Sequence, residues 1–270
     1  MTALAPRGLD HIVHAVRDLD AAAELYRRMG FTVGARNRHP WGTHNCIVQL
    51  PGFFIELLML AEPDKLGADG FSKLFGAYTG DFLTRGEGLA LLILESHDAN
   101  ADEAAFRAAH IAASEVMRFE REGKRPDGSP VKVGFSLAFA ADQAAPDIHF
   151  ATCQQHYPEN FWNPAFQRHA NGVETVAGVV AVAEQPARHR DFLLAFSSAP
   201  SAHDTGDGFT IALPRGAIEM TTPVAFERRF GLPAPDVSRG ARLAALRFSG
   251  KTLAKGRQSA MGAVLVFEPA

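Results

Sequence analysis

Cysteine is nearly missing from this chain. Only Cys46 and Cys153 occur among 270 residues, which excludes a disulfide framework and any paired-Cys metal motif. Both fall in predicted strands, where a buried free thiol in a reducing cytoplasm is the expected state. Charge of one sign is missing too: the formal net charge is −3, and no basic cluster is interleaved with aromatics. That leaves no electrostatic footprint for nucleic acid or an anionic membrane. No apolar run approaches a membrane span, and residues 1–7 lack the apolar core of a signal peptide, so a cytoplasmic location without membrane contact is expected. Gly-x-Ser-x-Gly, Walker-type and dinucleotide-binding patterns are absent, so neither a nucleophile elbow nor an organic cofactor is expected. Tyrosine is scarce, three against twenty Phe, which points to apolar strand-on-helix cores.

What is present is a soluble globular composition, 47% apolar and 21% charged, and a repeating order of elements. A strand is predicted over 8–16. Asp18 and Asp20 then offer carboxylates for a helix N-terminus, Ala22, Leu25, Tyr26 and Met29 follow at helical spacing, and Gly30 can end the helix. A second strand is predicted over 31–33, a polar loop over 36–45, and strands over 46–50 and 53–60 joined by Pro51-Gly52. Side chains alternate along a strand, so His11, Val13 and Ala15 share one face, as do Phe54, Glu56 and Leu58. His14 falls on the opposite face and is expected to pack on the helix. A carboxylate such as Glu56 in an apolar run is costly to bury without a partner. A metal ion shared with the His11 imidazole would be one.

The segment 10–31 followed by 54–57 resembles the vicinal oxygen chelate superfamily of glyoxalases and dihydroxybiphenyl dioxygenases, and in particular the glyoxalase-like domain proteins. The resemblance implies an α+β fold of tandem βαβββ modules, which form cup-shaped mixed sheets in two paired halves. It also implies metal ligands on first and fourth strands, the places of His11 and Glu56. The rhythm recurs as a strand over 89–95, a helix over 98–111, a strand over 115–120, a turn-rich segment over 122–130, and strands over 131–140 and 148–154. A short helix is expected near 71–75 in the connection. A degenerate copy follows, with a strand over 176–183, a helix over 186–197, and strands over 208–213 and 217–221. The last module, with strands over 242–248 and 262–267, is truncated, and 251–259 is too short for a helix plus a strand. The expected domains are a first half over 1–155 (modules 8–62 and 86–155), a connection over 156–171 and a second half over 172–270.

Two ligands do not hold a metal tightly. The partner module has Leu89 or Ala90 at the His11 position and His149 opposite Glu56. His11, Glu56 and His149 would form a two-His-one-carboxylate set for Zn, Fe, Mn, Co or Ni. A one-residue slip would turn His149 away and bring Phe150 in. His156 and Glu159 are the candidate catalytic bases, with His156 a further candidate ligand, while His39, Trp41, His44 and Gln155 are candidate pocket residues. Phe161 and Trp162 are expected to cover the seam between halves. In the second half Glu219 mirrors Glu56, Ala177 stands at the His11 position, and an arginine, Arg215 or Arg242, is expected to hold Glu219. Two functions stay open. One is an isomerase, lyase or dioxygenase acting on a small oxygen-rich or aromatic substrate through a divalent metal. The other is a metal-free small-molecule binder of the same fold. A homodimer is left open.

Overall fold

Fifteen strands build two curled mixed sheets, seen in a computed structural model that describes residues 5–124 and 129–270. The first unit runs β1 (Leu9–Ala15), α1 (Leu19–Arg28), β2 (Asn37–Arg38), β3 (Thr43–Leu50) and β4 (Phe53–Leu60). A connection with a π-helical turn, Ser72–Ala77, and α2 (Tyr78–Arg85) leads to the second unit. That unit is β5 (Gly88–Glu95), α3 (Ala99–Ala108), β6 (Met117–Lys124), β7 (Pro130–Ala140) and β8 (His149–Gln155). The order across this sheet is β2-β3-β4-β1-β5-β8-β7-β6. The β6–β7 hairpin pairs from Met117–Leu137 to Lys124–Pro130. The tip of its turn, 125–128, and the first four residues of the N-terminal stretch lie outside the described residues.

After α4 (Pro158–Phe161), the second half holds β9 (Thr175–Val182), α5 (Arg190–Ser197), β10 (His203–Asp204), β11 (Gly208–Ala212) and β12 (Ala217–Thr221). Then come α6 (Pro223–Phe230), β13 (Arg242–Gly250), β14 (Gly256–Ala260) and β15 (Ala263–Pro269). Its sheet order is β10-β11-β12-β9-β13-β15-β14. The last unit has no helix but keeps a strand, β14, largely within 251–259, the segment read as too short for a helix plus a strand. α6 was not anticipated. Thr222 caps it through Ala225 N–H, with Pro223 in its first turn.

Capping explains why the helices begin where they do. Asp18 accepts from the N–H groups of Asp20 and Ala21, and Asp98 does the same for Asn100 and Ala101. Gly30, at φ +85°, follows α1 as expected. Residues 31–33 do not form a strand. Phe31 N–H closes on Tyr26 O, Thr32 N–H on His169 Nδ1, and Gly34 N–H on Ile47 O. With its backbone satisfied this way, the segment is diverted from the ladder, and β2 forms later inside the polar loop.

The outer, helix-bearing faces of both sheets share one core. It joins Leu9, Ile12, Tyr26, Phe31, Leu57 and Phe106 of the first half to Phe196, Leu246, Phe248 and Leu265 of the second. His14 packs there as expected, with Nδ1 on Tyr26 Oη and Nε2 on Met261 O, both at 2.9 Å. The concave faces differ. In the first, Phe75, Tyr78 and Phe82 of the connection cover one end only. In the second, Phe226 and Phe230 of α6 pack on Val180, Val182 and Ala244. No helix among the described residues is long and apolar enough to cross a membrane.

Candidate functional site

The first cup contains a cavity of about 710 Å³ measured out to its open mouth. Its walls are largely aromatic: Phe54 of β4, Phe71 and Phe75 of the connection, Phe119 of β6 and Phe135 of β7. Phe161 of α4 closes one side, with its ring 4.9 Å from that of Phe54 and 5.7 Å from that of Phe135. It is therefore a pocket wall and not a cover for the seam between halves. Polar groups gather in one region, from His11, His39, Asn45 and Glu56, with Cys153 beside them. Arg121 also lines the cavity, and its Nη2 donates to Asn37 Oδ1 at 3.4 Å.

His11 and Glu56 line the same cavity, as strand parity implies. One polar atom of each is already engaged. Glu56 Oε1 accepts from Asn45 Nδ2 at 2.6 Å. His11 Nδ1 donates to Asp10 Oδ1 at 2.5 Å, and its ring stacks on Phe54 at 4.2 Å. Asp10 was not a candidate, because neighbours on a regular strand face opposite ways. A β-bulge changes this: Leu9 pairs with Leu94 and His11 with Ile93, leaving Asp10 as the extra residue. Leu9 stays in the outer core while both Asp10 and His11 reach the inner face. Asp10, His11 and Cys153 each bring a polar atom within 4.8 Å of the others.

The same pairing settles which residues correspond between units. In the second unit Ala90 is the bulged residue on β5. Asp10 thus corresponds to Ala90, and His11 to Leu91 rather than to Leu89 or Ala90. Val13 pairs with Glu56 and Ile93 with Ala151, so Ala151 stands at the place of Glu56. His149 pairs with Leu91 and corresponds to Phe54. It faces the inner side without a slip, yet it lies four residues, about 13 Å, along the strand from Cys153. There it stacks on Tyr78 at 3.4 Å, holds Leu74 O through Nδ1 at 3.2 Å, and is absent from the cavity lining. Burial pushes its pKa down to about 4, partly opposed by the Leu74 carbonyl.

Of the other candidates, His39 and Trp41 line the cavity and stack at 4.6 Å. Burial lowers the His39 pKa, against a raising effect of Glu56. His44 is turned away: Nε2 meets Glu62 Oε2 at 2.9 Å and Nδ1 accepts from Arg36 at 3.3 Å. Gln155 serves the site from behind by donating Nε2 to Asp10 Oδ2 at 3.2 Å. His156 and Glu159 are exposed and lie outside the lining, with His156 Nε2 on Ser136 Oγ at 2.7 Å. The structure does not bring these two proposed bases to the cavity. Sequence reasoning missed Asp10, Asn45, Arg121 and Cys153. Burial, with Asp10 and Glu56 nearby, raises the Cys153 thiol well above its ordinary pKa, so it stays protonated.

These donors do not complete the metal set that the resemblance implies. The partner unit offers Leu91 and Ala151, and His149 is elsewhere, which leaves His11 and Glu56 as the two donors of that set in the cavity. In the second half the bulged residue is Ala177, so Gly178 and not Ala177 corresponds to His11, while Glu219 matches Glu56 through its pairing with Val180. Glu219 is held by Arg229 at 2.5 Å and by Arg247. Arg215 and Arg242, the expected partners, go to Glu95 and Asp147 instead.

A hypothetical protein from Staphylococcus aureus has the same fold over 98% of this chain and 100% of its own, with a TM-score of 0.72 at 13% identity. A mutant 4-hydroxymandelate synthase from Streptomyces coelicolor matches 90% of this chain and 71% of its own, at TM-score 0.50 and 12% identity. The Mn(II)-bound glyoxalase from Novosphingobium aromaticivorans matches 98% and 83%, at TM-score 0.49 and 12% identity. At these identities the likeness is one of fold. No curated protein matches. Residues 9–196 match the family model described as "Glyoxalase-like domain", and on that match, which spans both units of the first half and enters the third, the chain belongs to the glyoxalase-like domain family of the vicinal oxygen chelate superfamily.

Proposed function

We propose that the first cup binds a small, mostly apolar or aromatic molecule and presents an oxygen-bearing part of it to His11, Asn45 and Glu56. The observation that carries this reading is the cavity itself, with aromatic walls and a few converging polar groups. Small-molecule sites have this make-up. Isomerase or lyase chemistry suits the polar region better than ring-cleaving oxygenation, which needs a complete redox-metal set. We also read the protein as cytoplasmic, because both cysteines are free and buried.

The test is a thermal-shift and NMR titration with aromatic ketones, phenols and aryl carboxylic acids of one ring. Leu137 lines the cavity from β7 without belonging to its polar region. Leu137→Trp should fill the space and weaken binding at least tenfold while the protein still melts cooperatively. Binding that survives this substitution, or a panel with no binder at all, would reject the first cup as the site.

A further inference from the structure

The bulge that admits Asp10 is not peculiar to the first unit. Equivalent bulges occur at Ala90, Ala177 and Ala244. The backbone irregularity is thus a property of the fold, and the other three units fill it with a methyl group. Only the first unit carries a carboxylate there, 4% exposed. Burying a carboxylate is unfavourable unless its oxygens are satisfied, and here both are: Oδ1 by His11 and Oδ2 by Gln155. Gln155 is oriented for this task at the expense of its own Oε1, which is buried without a partner. A carboxylate only accepts, so His11 carries its proton on Nδ1. No hydrogen bond from the described residues reaches His11 Nε2, and the ring lines the cavity.

The geometry points to a metal-free proton-transfer site: Asp10, turned into the cup by the bulge, positions His11 so that Nε2 acts as general base toward a bound carbonyl compound. The inference rests on the small-molecule reading above and on the incomplete metal set. The C–H bond beside the carbonyl breaks, its electron pair moves into the enolate, and the proton goes to Nε2. The imidazolium is held by the Asp10 carboxylate. The proton then returns to the same carbon, so the net change is hydrogen exchange or epimerisation at that carbon and needs no co-reactant. Arg121, on the same cavity, supplies positive charge for the enolate. Asp10 is a positioning residue; His11 is the catalytic one.

The experiment uses the full chain in the presence of EDTA, with phenylacetone deuterated at its benzylic carbon as probe. Binding is followed by NMR line broadening, and deuterium loss to water by integration. Washout should exceed the buffer background, fall about 10²–10⁴-fold in His11→Gln, and fall at least tenfold in Asp10→Asn, with probe affinity changed less than threefold in Asp10→Asn, whose side chain does not line the cavity. In ¹⁵N-labelled protein, long-range ¹H–¹⁵N spectra should show His11 as the Nδ1–H tautomer with a low-field proton that Asp10→Asn abolishes. A probe that fails to bind rejects the small-molecule reading, and the tautomer then judges the dyad alone. Any of four results overturns the inference: a bound probe without washout, washout that survives His11→Gln, an Nε2–H tautomer, or activity that EDTA removes and Mn(II) or Zn(II) restores.

Discussion

His149 shows how one residue can be read correctly by parity and wrongly by position. The strand alternation put it on the inner face, where it is; the pairing partner put it beside Tyr78, away from His11. Its pKa, lowered by burial to about 4, has a consequence for stability. The unfolded chain takes up a proton near the ordinary value of 6.5, whereas the folded protein resists protonation until about pH 4. Stability at this site is therefore complete above about pH 6.5 and is lost as pH falls toward 4, by roughly 3 kcal/mol at most. Burial lowers His14 and His39 in the same direction. Urea unfolding of the parent should thus weaken from pH 7 to pH 5, and His149→Phe should reduce that slope without removing it. An unchanged slope in the variant would show that His149 does not carry the effect.

At the scale of elements, Asp18 and Asp98 cap α1 and α3 in the same way. Asp18→Ala and Asp98→Ala should each cost about 1 kcal/mol, measured by chemical unfolding at neutral pH, and the two losses should add because the caps lie on separate helices. Elements whose signals are contiguous were legible in the chain: the Asp18 cap, the spacing of Ala22, Leu25, Tyr26 and Met29, and the alternation around Glu56. The signal for α6 was also there, in Thr222-Pro223 with Phe226 and Phe230 behind it, although nothing in the βαβββ order calls for a helix at that point. The bulge was not legible. An extra residue on a strand has no periodicity of its own, and Asp10 became part of the site only through the pairing of β1 with β5. For the same reason the equivalences His11–Leu91 and Glu56–Ala151 follow from register and not from counting along the chain. Half of the candidate site was thus readable from local pattern. The other half depends on contacts made between strands of one sheet that are distant in the chain.

For the whole molecule, the shared core ties the two halves together. Phe150 meets Phe192 at 4.7 Å, Phe31 meets Phe248 at 5.5 Å, and Arg7 donates to Phe196 O at 2.8 Å. Calorimetry should give a single transition with matching calorimetric and van't Hoff enthalpies, and residues 1–171 produced alone should fail to fold. Two resolved transitions would mean that the halves stand independently. A different consequence follows from the bulge at Ala177. The fold keeps there the backbone twist on which the first cup mounts its imidazole and carboxylate, so the second cup looks only two substitutions short of a working copy. The space, however, has closed. A Cβ at Gly178 would come within 2.9 Å of the Ala217 carbonyl oxygen, and Phe226 and Phe230 of α6 pack on the concave face beside Val180 and Val182. The neighbouring strand occupies the room a side chain at Gly178 would need, so placing an imidazole there would require backbone rearrangement before any gain in function. Of the two duplicated halves, one has become a one-way specialisation in support, and the freedom to vary chemistry is confined to the other.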